Sequence, residues 1–168
     1  MWALVHQQLY NAGEAMLTGD KELAYKVISR ERRVNAFELK IDSDCEDIIA
    51  LYAPVAIDLR FVLAMYKINT NLERLGDFAE SIARFAGNLP EGEPIDPQLV
   101  KETRVEEMLS ELLSMISLTK EAFEKESSEI ASRIFLKDNL IDEINHNSTA
   151  IIAKYIEEHK GSALAGLY

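Results

Sequence analysis

Apolar residues recur along this chain at the three-to-four-residue interval of an α-helix, almost without interruption. Residues 2–17 place Leu4, Val5, Leu9, Tyr10, Ala12, Met16 and Leu17 on a stripe that halts at Thr18 and Gly19. Asp20 offers an N-cap for a second helix, with Lys21 and Glu22 in its first turn. Within that helix Val27, Val34, Ile41 and Ile48 fall seven residues apart, with Leu23, Phe37, Cys45 and Leu51 beside them. A run of about 30 residues at this period predicts a long, coiled-coil-like bundle helix. It ends near Tyr52 and Ala53, because Pro54 cannot continue the backbone ladder and presets a new first turn. A third helix follows from Pro54 to about Ala86, capped by Gly87, with Val55, Leu59, Val62, Leu63, Tyr66, Leu72 and Leu75 as its core-facing bulk.

The stretch GNLPEGEPIDP (87–97) is the one linker that the composition marks. Asp96 and Pro97 then cap and start a fourth helix that runs through Leu99, Val105, Leu109, Leu112 and Ile116 to Phe123. Ser127 caps a fifth, carrying Ile130, Ile134, Ile141, Ile144, Ile151, Ile152 and Tyr155. Gly161 and Ser162 break it, ahead of the apolar tail ALAGLY.

Laying residues 128–144 on residues 21–37 brings out an internal repeat. Val27 falls on Ile134, Val34 on Ile141, and the cap Asp20 on the cap Ser127. Glu31 falls on Asp138 and Asn35 on Asp142, so an oxygen-bearing pair recurs at the same four-residue spacing. Matched caps and matched oxygen pairs carry more weight than matched apolar stripes, which amphipathic helices share by default. The expected fold is all-α: a tandem pair of three-helix bundles, residues 1–87 and 98–168, joined by a linker at 88–97. The second bundle is incomplete at its C-terminus, where the counterpart of the third helix would begin at residues 161–168. A further segment or a partner is expected to complete it, since the tail otherwise presents an unburied apolar face.

Composition narrows the function. The 168 residues carry a net charge of −11 with no compensating basic block. That argues against nucleic acid and against an anionic lipid surface, both of which need clustered Lys and Arg. The lone Cys45 rules out an internal disulfide and a cysteine-based zinc site, and fits a reducing compartment. No apolar run approaches the roughly 20 residues that span a bilayer, and no secretory leader pattern opens the chain. A soluble, cytoplasmic protein is expected.

The third helix carries the most suggestive chemistry. Asn69, Glu73 and Asp77 stand four residues apart and share one face. Such a row is either a solvated surface or the edge of a metal site. Arg32, Arg33, Arg74 and Lys40 are available as ion-pair partners, and on spacing alone the solvated surface is favoured. Carboxylates at i and i+4 on two packed helices would instead repel, raising one another's pKa, and a cation would relieve that strain. Oxygen-only donors suit hard cations, with iron possible through bridging carboxylates. Glu143 and His146 have the spacing of a di-iron motif, but it occurs once where two copies are needed. Asp58 and Arg60 read as an intrahelical pair, Cys45 as a buried small hydrophobe, and Trp2 as core or interface filling. No nucleophile arrangement or phosphate-binding loop is present.

PVAIDLR (54–60) followed by KINTNLERLGDFAESIARF (67–85) closely resembles the signature of the PhoU family of phosphate-uptake regulators. RERRVNAFELKID (30–42) and KDNLIDEI (137–144) resemble that family's second and fifth helices. The resemblance implies paired three-helix bundles whose Glu/Asp-x-x-x-Asp motifs hold clusters of iron or another divalent metal such as Zn, Mn or Ni. It also implies a cytoplasmic, homodimeric, non-enzymatic regulator of phosphate-starvation signalling. Its implied partners are the ATPase of a phosphate ABC transporter and a sensor histidine kinase. Carried over residue by residue, the implied metal ligands are Glu31 and Asn35 on the second helix, Glu73 and Asp77 on the third, and Asp138 and Asp142 on the fifth. Asn35 replaces the usual acid and brings one negative charge fewer, while the second bundle lacks counterparts of Glu73 and Asp77. Asn69 is expected to be peripheral. A metal-free helical adaptor is the alternative, and a di-iron carboxylate oxidase a more distant one.

Overall fold

The computed structural model describes residues 1–90 and 94–158. α1 (Trp2–Thr18) stops because Gly19 takes φ 70°, ψ 21°, the left-handed conformation that turns a chain out of a helix at little cost to glycine. α2 (Lys21–Tyr52) starts on Asp20, whose Oδ1 accepts the Leu23 N–H at 2.9 Å. α3 (Ala56–Asn88) returns antiparallel to it. Pro54 does not open α3 as expected. Proline steers the residue before it away from the right-handed helical region; here Ala53 adopts φ 43° and closes α2, and Val55 is the extended N-cap of α3. At the far end Gly87 lies inside the last turn rather than capping it. Leu89 takes the cap, its N–H bonding Ala86 O at 3.3 Å while its side chain is buried.

The fourth helix predicted from the pattern is two helices, α4 (Pro97–Thr103) and α5 (Val105–Glu124). Arg104 separates them at φ 55°, ψ 30°. The apolar stripe runs through this kink, so periodicity gave no sign of it. The Asp96 cap is as expected, with its Oδ1 accepting the Gln98 N–H at 2.8 Å. α6 (Ser128–Glu158) opens on Ser127, whose hydroxyl oxygen accepts the Ile130 N–H at 3.3 Å. The predicted break at Gly161 and Ser162, and the tail after it, lie outside the described residues.

α1, α2 and α3 pack around one core that includes Val5, Leu9, Val27, Val34 and Leu72. Ala12 and Ala15 of α1 and Ala79, Ala83 and Ala86 of α3 are fully buried, so the helices approach through small side chains. α5 lies along α1 and links the first unit to α4 and α6. That interface is close: a β-carbon on Gly13 would lie 2.1 Å from Leu109 Cδ2.

At 1.5 Å per residue the 32 and 33 residues of α2 and α3 reach about 48 Å, against about 25 Å for the 17 of α1. The hairpin therefore outruns α1 at its turn end. Ile48, Leu51, Val55, Leu63 and Tyr66, expected in the core, are exposed there, beyond the reach of α1. Val62 and Leu72 are buried as expected, and so is Cys45. Phe61 stacks on Phe123 of α5, ring centres 5.6 Å apart. α6 buries Ile144 alone among its described residues, and Phe135 and Leu136 stand exposed.

Candidate metal centre

The charges of Glu80 and Asp77 on α3 act on Glu31 of α2, and that of Glu38 on α2 acts on Glu73 of α3. The two helices come together at Val34 and Gly76, where a β-carbon on the glycine would be 2.8 Å from Val34 Cγ1. This close approach falls between Glu73 and Asp77 in the sequence of α3, along a seam where the charges of the two helices act on one another. Glu31 is only 8% exposed. Asn35 Nδ2 donates to its Oε2 at 2.9 Å, and its Oε1 is buried without a hydrogen-bond partner. Burial raises the Glu31 pKa, and the negative charges of Glu80 and Asp77 raise it further, against lesser lowering by the Asn35 hydrogen bond and Arg84. Glu73, half-buried, is raised in the same way: by burial first, then by Asp77 and Glu38, a hydrogen bond shared with Asp77, and Glu31. The repulsion expected of carboxylates on two packed helices is therefore present.

Two of the four cations expected as neutralising partners are engaged elsewhere. Lys40 pairs with Asp44 at 2.6 Å on the exposed side, and Arg33 lies over the Phe37 ring. Arg84 is the cation that acts on the seam: its Nε and Nη2 donate to Glu80 Oε1 at 3.1 and 2.6 Å.

Asn69 is not peripheral. It is 2% exposed, and its Nδ2 donates both to Glu38 O at 2.9 Å and to Asp42 Oδ1 at 2.7 Å, pinning α3 to α2. Glu38, Asp42, Glu80 and Arg84 thus belong to the seam although the reading of the motif left them out. Seven-residue spacing from Glu31 to Glu38 and from Asn35 to Asp42, and the stripe Glu73, Asp77, Glu80, Arg84, were signals available in the sequence.

Of the six residues carried over as ligands, Asn35 bonds Glu31, and the charge of Asp77 acts on both Glu31 and Glu73. Asp138 and Asp142 stand exposed on α6, apart from the seam, beside Lys137, which pairs with Glu111. Glu143 is tied to Arg104 at 3.0 Å, so the lone di-iron spacing is taken up by an ion pair. Among the described residues no three His, Cys, Asp or Glu side chains already stand together as a chelating group. The donor set of Glu31, Glu73 and Asp77 still fits a hard or borderline cation: it is all oxygen, carries excess negative charge, and includes a buried carboxylate oxygen with nothing to accept from.

Fold and seam together define a class: a protein of tandem bundles, helical throughout its described elements, with carboxylates along the seam between the long helices of the first. Residues 1–86 match the family model described as the PhoU domain. The chain belongs to the PhoU family. It is 34% identical over 160 residues, 94% of its own length and 70% of the relative's, to the phosphate-specific transport system accessory protein PhoU homolog of Aquifex aeolicus (strain VF5). The crystal structure of PhoU from Pseudomonas aeruginosa matches with a TM-score of 0.86 at 26% identity, covering 99% of this chain and 79% of that one. That of the phosphate transport system regulatory protein PhoU from Streptococcus pneumoniae matches at 0.85 and 28%, covering 99% and 76%. These relatives carry the names of accessory and regulatory proteins, not of enzymes.

Proposed function

We propose that this chain regulates phosphate uptake as a cytoplasmic, homodimeric accessory protein of a phosphate transporter. In this reading it holds a divalent metal at Glu31, Asn35, Glu73 and Asp77, and docks on the transporter's ATPase and on a sensor histidine kinase. The observation that carries the regulatory part is the match along nearly the whole chain to a phosphate-specific transport accessory protein. What supports the metal is the orphaned, buried Oε1 of Glu31 beside mutually repelling carboxylates. Bound there, a metal would neutralise the seam and cross-link α2 to α3. Asp138 and Asp142 offer the donors of one helix only, a half-site in the second unit.

In a bacterium lacking its own PhoU, expression of this chain is expected to restore phosphate-dependent repression of uptake, read as the initial rate of radiolabelled phosphate entry. A rate unchanged from the deletion strain overturns the regulatory reading. Protein purified without chelator is expected to carry stoichiometric metal, lost on Glu73→Ala with Asp77→Ala. A metal-free wild type removes the metal part, and a pull-down in which neither ATPase nor kinase is retained removes the docking part.

One set of observations favours the metal-free adaptor as the second reading: Asn35 already bonds Glu31, and Arg84 already bonds Glu80. In that case the acids serve recognition of a basic partner surface and metal analysis returns nothing.

A further inference from the structure

The α2–α3 hairpin outreaches α1 by about 23 Å, the length of about 15 helical residues. The apolar stripes of both helices run on into that length. On α2, Ile48 and Tyr52 follow Val27 and Val34 at helical spacing; on α3, Ile57 and Phe61 precede Ile68 and Leu72 in the same way. Beside α1 these stripes bury Val27, Val34 and Leu72 in the core. At the turn end they stand open: Ile48 is 39% exposed, Phe61 52%, Tyr52 76% and Ile57 77%. Asn69 meets Asp42 and Gly76 meets Val34, and the same antiparallel register sets Ile48 level with Val62 and Tyr52 level with Asp58. The open stripes therefore lie side by side and flank one groove, with Phe123 of α5 stacked on Phe61 at its inner end.

The second unit shows how such a face is covered. The register of the internal repeat carries Ser148 onto Ile41 and Tyr155 onto Ile48. Over that part of α6 lies the short helix α4: Ser148 Oγ donates to Thr103 O at 3.3 Å, Tyr155 Oη donates to Asp96 Oδ2 at 2.9 Å, and Leu99 is buried. Charge then selects the occupant in the first unit. Residues 38–60 hold six acids (Glu38, Asp42, Asp44, Glu46, Asp47, Asp58) against two bases (Lys40, Arg60), a net of −4, and Lys40 is paired with Asp44. Two such ends brought together repel, which disfavours a second copy of this chain, whereas a cationic segment is attracted.

We propose that the turn end of the α2–α3 hairpin is a docking groove for a basic amphipathic helix, about 15 residues long, of a partner protein. Its apolar side lies along Ile48, Tyr52, Ile57 and Phe61, and Lys or Arg on its flanks pairs with Glu46, Asp47 and Asp58. The inference rests on the docking part of the proposed function, names the face and the chemistry it takes, and needs no metal.

The probe is a fluorescein-labelled helical peptide of about 15 residues, Leu on one face and Lys on the other, titrated with the full chain by fluorescence anisotropy. Tyr52→Ser with Ile57→Ser is expected to weaken binding by at least about tenfold, the loss on truncating interface anchors. Both side chains are about three-quarters exposed, so the change opens no core, and circular dichroism melts check the fold. Glu46→Lys with Asp47→Lys, both exposed, should weaken binding about tenfold at low salt and flatten its salt dependence. Phe135→Ser with Leu136→Ser, which removes the exposed apolar pair of α6, should leave the affinity unchanged. If the α6 variant weakens binding as much as the hairpin variants, or the hairpin variants stay within about twofold of wild type, the inference is wrong. It is wrong too if the wild type sediments as a dimer that Tyr52→Ser with Ile57→Ser dissociates, since the face then belongs to a second copy. A pull-down separates it from the reading on which it rests. ATPase or kinase retained by wild type and lost by the hairpin variants supports both; equal retention by wild type and variants overturns the inference and keeps docking; retention of neither partner by wild type overturns both.

Discussion

Gly76 lies between two of the proposed ligands and faces Val34 so closely that a β-carbon would approach Val34 Cγ1 to 2.8 Å. The distance, not the backbone conformation, is what demands glycine there. Gly76→Ala must push α3 off α2, and overpacking of this kind costs about 1–3 kcal/mol. The clash is with a side-chain methyl, so Val34→Ala in the same chain should recover part of the loss. A double-mutant cycle on urea midpoints reads that coupling directly; simple additivity would mean that the two residues do not press on each other. Seven residues earlier on α3, Asn69 holds Asp42 and the Glu38 carbonyl from a fully buried position. Asn69→Ala leaves both acceptors short of a donor and is expected to lower stability by about 1–3 kcal/mol. Asn69→Asp should cost more, because it sets a carboxylate against Asp42. A midpoint within error of wild type for Asn69→Ala would remove the clamp.

Between elements, the informative break is the one at Arg104. Its left-handed backbone lets α4 and α5 point differently, and its side chain bonds Glu107 at 2.7 Å and Glu143 of α6 at 3.0 Å. Arg104→Gly relieves the backbone while losing the ion pairs and should be close to neutral. Arg104→Val keeps neither advantage and is expected to be destabilised by about 1–2 kcal/mol, since a β-branched residue resists positive φ. Thermal melts of the two variants in parallel separate backbone from side chain; equal losses would assign the effect to the ion pairs. The helices themselves were legible in the residue pattern because Asp20, Asp96 and Ser127 announce their starts and Gly19 one of their ends. The kink at Arg104 was not, since no glycine or proline marks it and the apolar stripe continues across it. The burial of Val55, Leu63 and Tyr66 was misjudged for a different reason: the pattern shows which face is apolar, not how far a neighbouring helix extends to cover it. The motif pointed to Glu31, Asn35, Glu73 and Asp77. Asn69 escaped because its partners, Glu38 and Asp42, are 31 and 27 residues away in the chain and meet it only once the hairpin has closed.

At the scale of the molecule, the raised pKa values of Glu31 and Glu73 set how stability varies with pH. Burial and facing carboxylates keep protons on both groups in the folded chain at a pH where the unfolded chain, with glutamates near the ordinary value of about 4.3, has released them. The folded state thus binds more protons, and the sign follows: stability is greatest below the unfolded value and declines as pH climbs through the raised folded values. Glu107 and Glu121 act in the opposite direction. Arg104 and Lys125 hold their carboxyls below the ordinary range, so what they contribute is present above the unfolded value and is lost as pH falls through their lowered values. The metal-free chain is therefore expected to melt highest on the acid side of neutral, near pH 5, with Tm falling toward pH 7.5. Glu31→Gln, which keeps the shape of the side chain without its charge, should flatten that fall. Mn(II) should reverse it, because an ion that binds only the folded state at 100 times its Kd adds about 2.7 kcal/mol. For a chain of this size that is about 5–11 °C in Tm, at about 2–4 °C per kcal/mol. The gain should be larger at pH 7.5 than at pH 5, because protons compete with the metal for the Glu31 and Glu73 oxygens as pH falls. A metal-induced shift that is the same at both pH values would place the ion somewhere other than this seam.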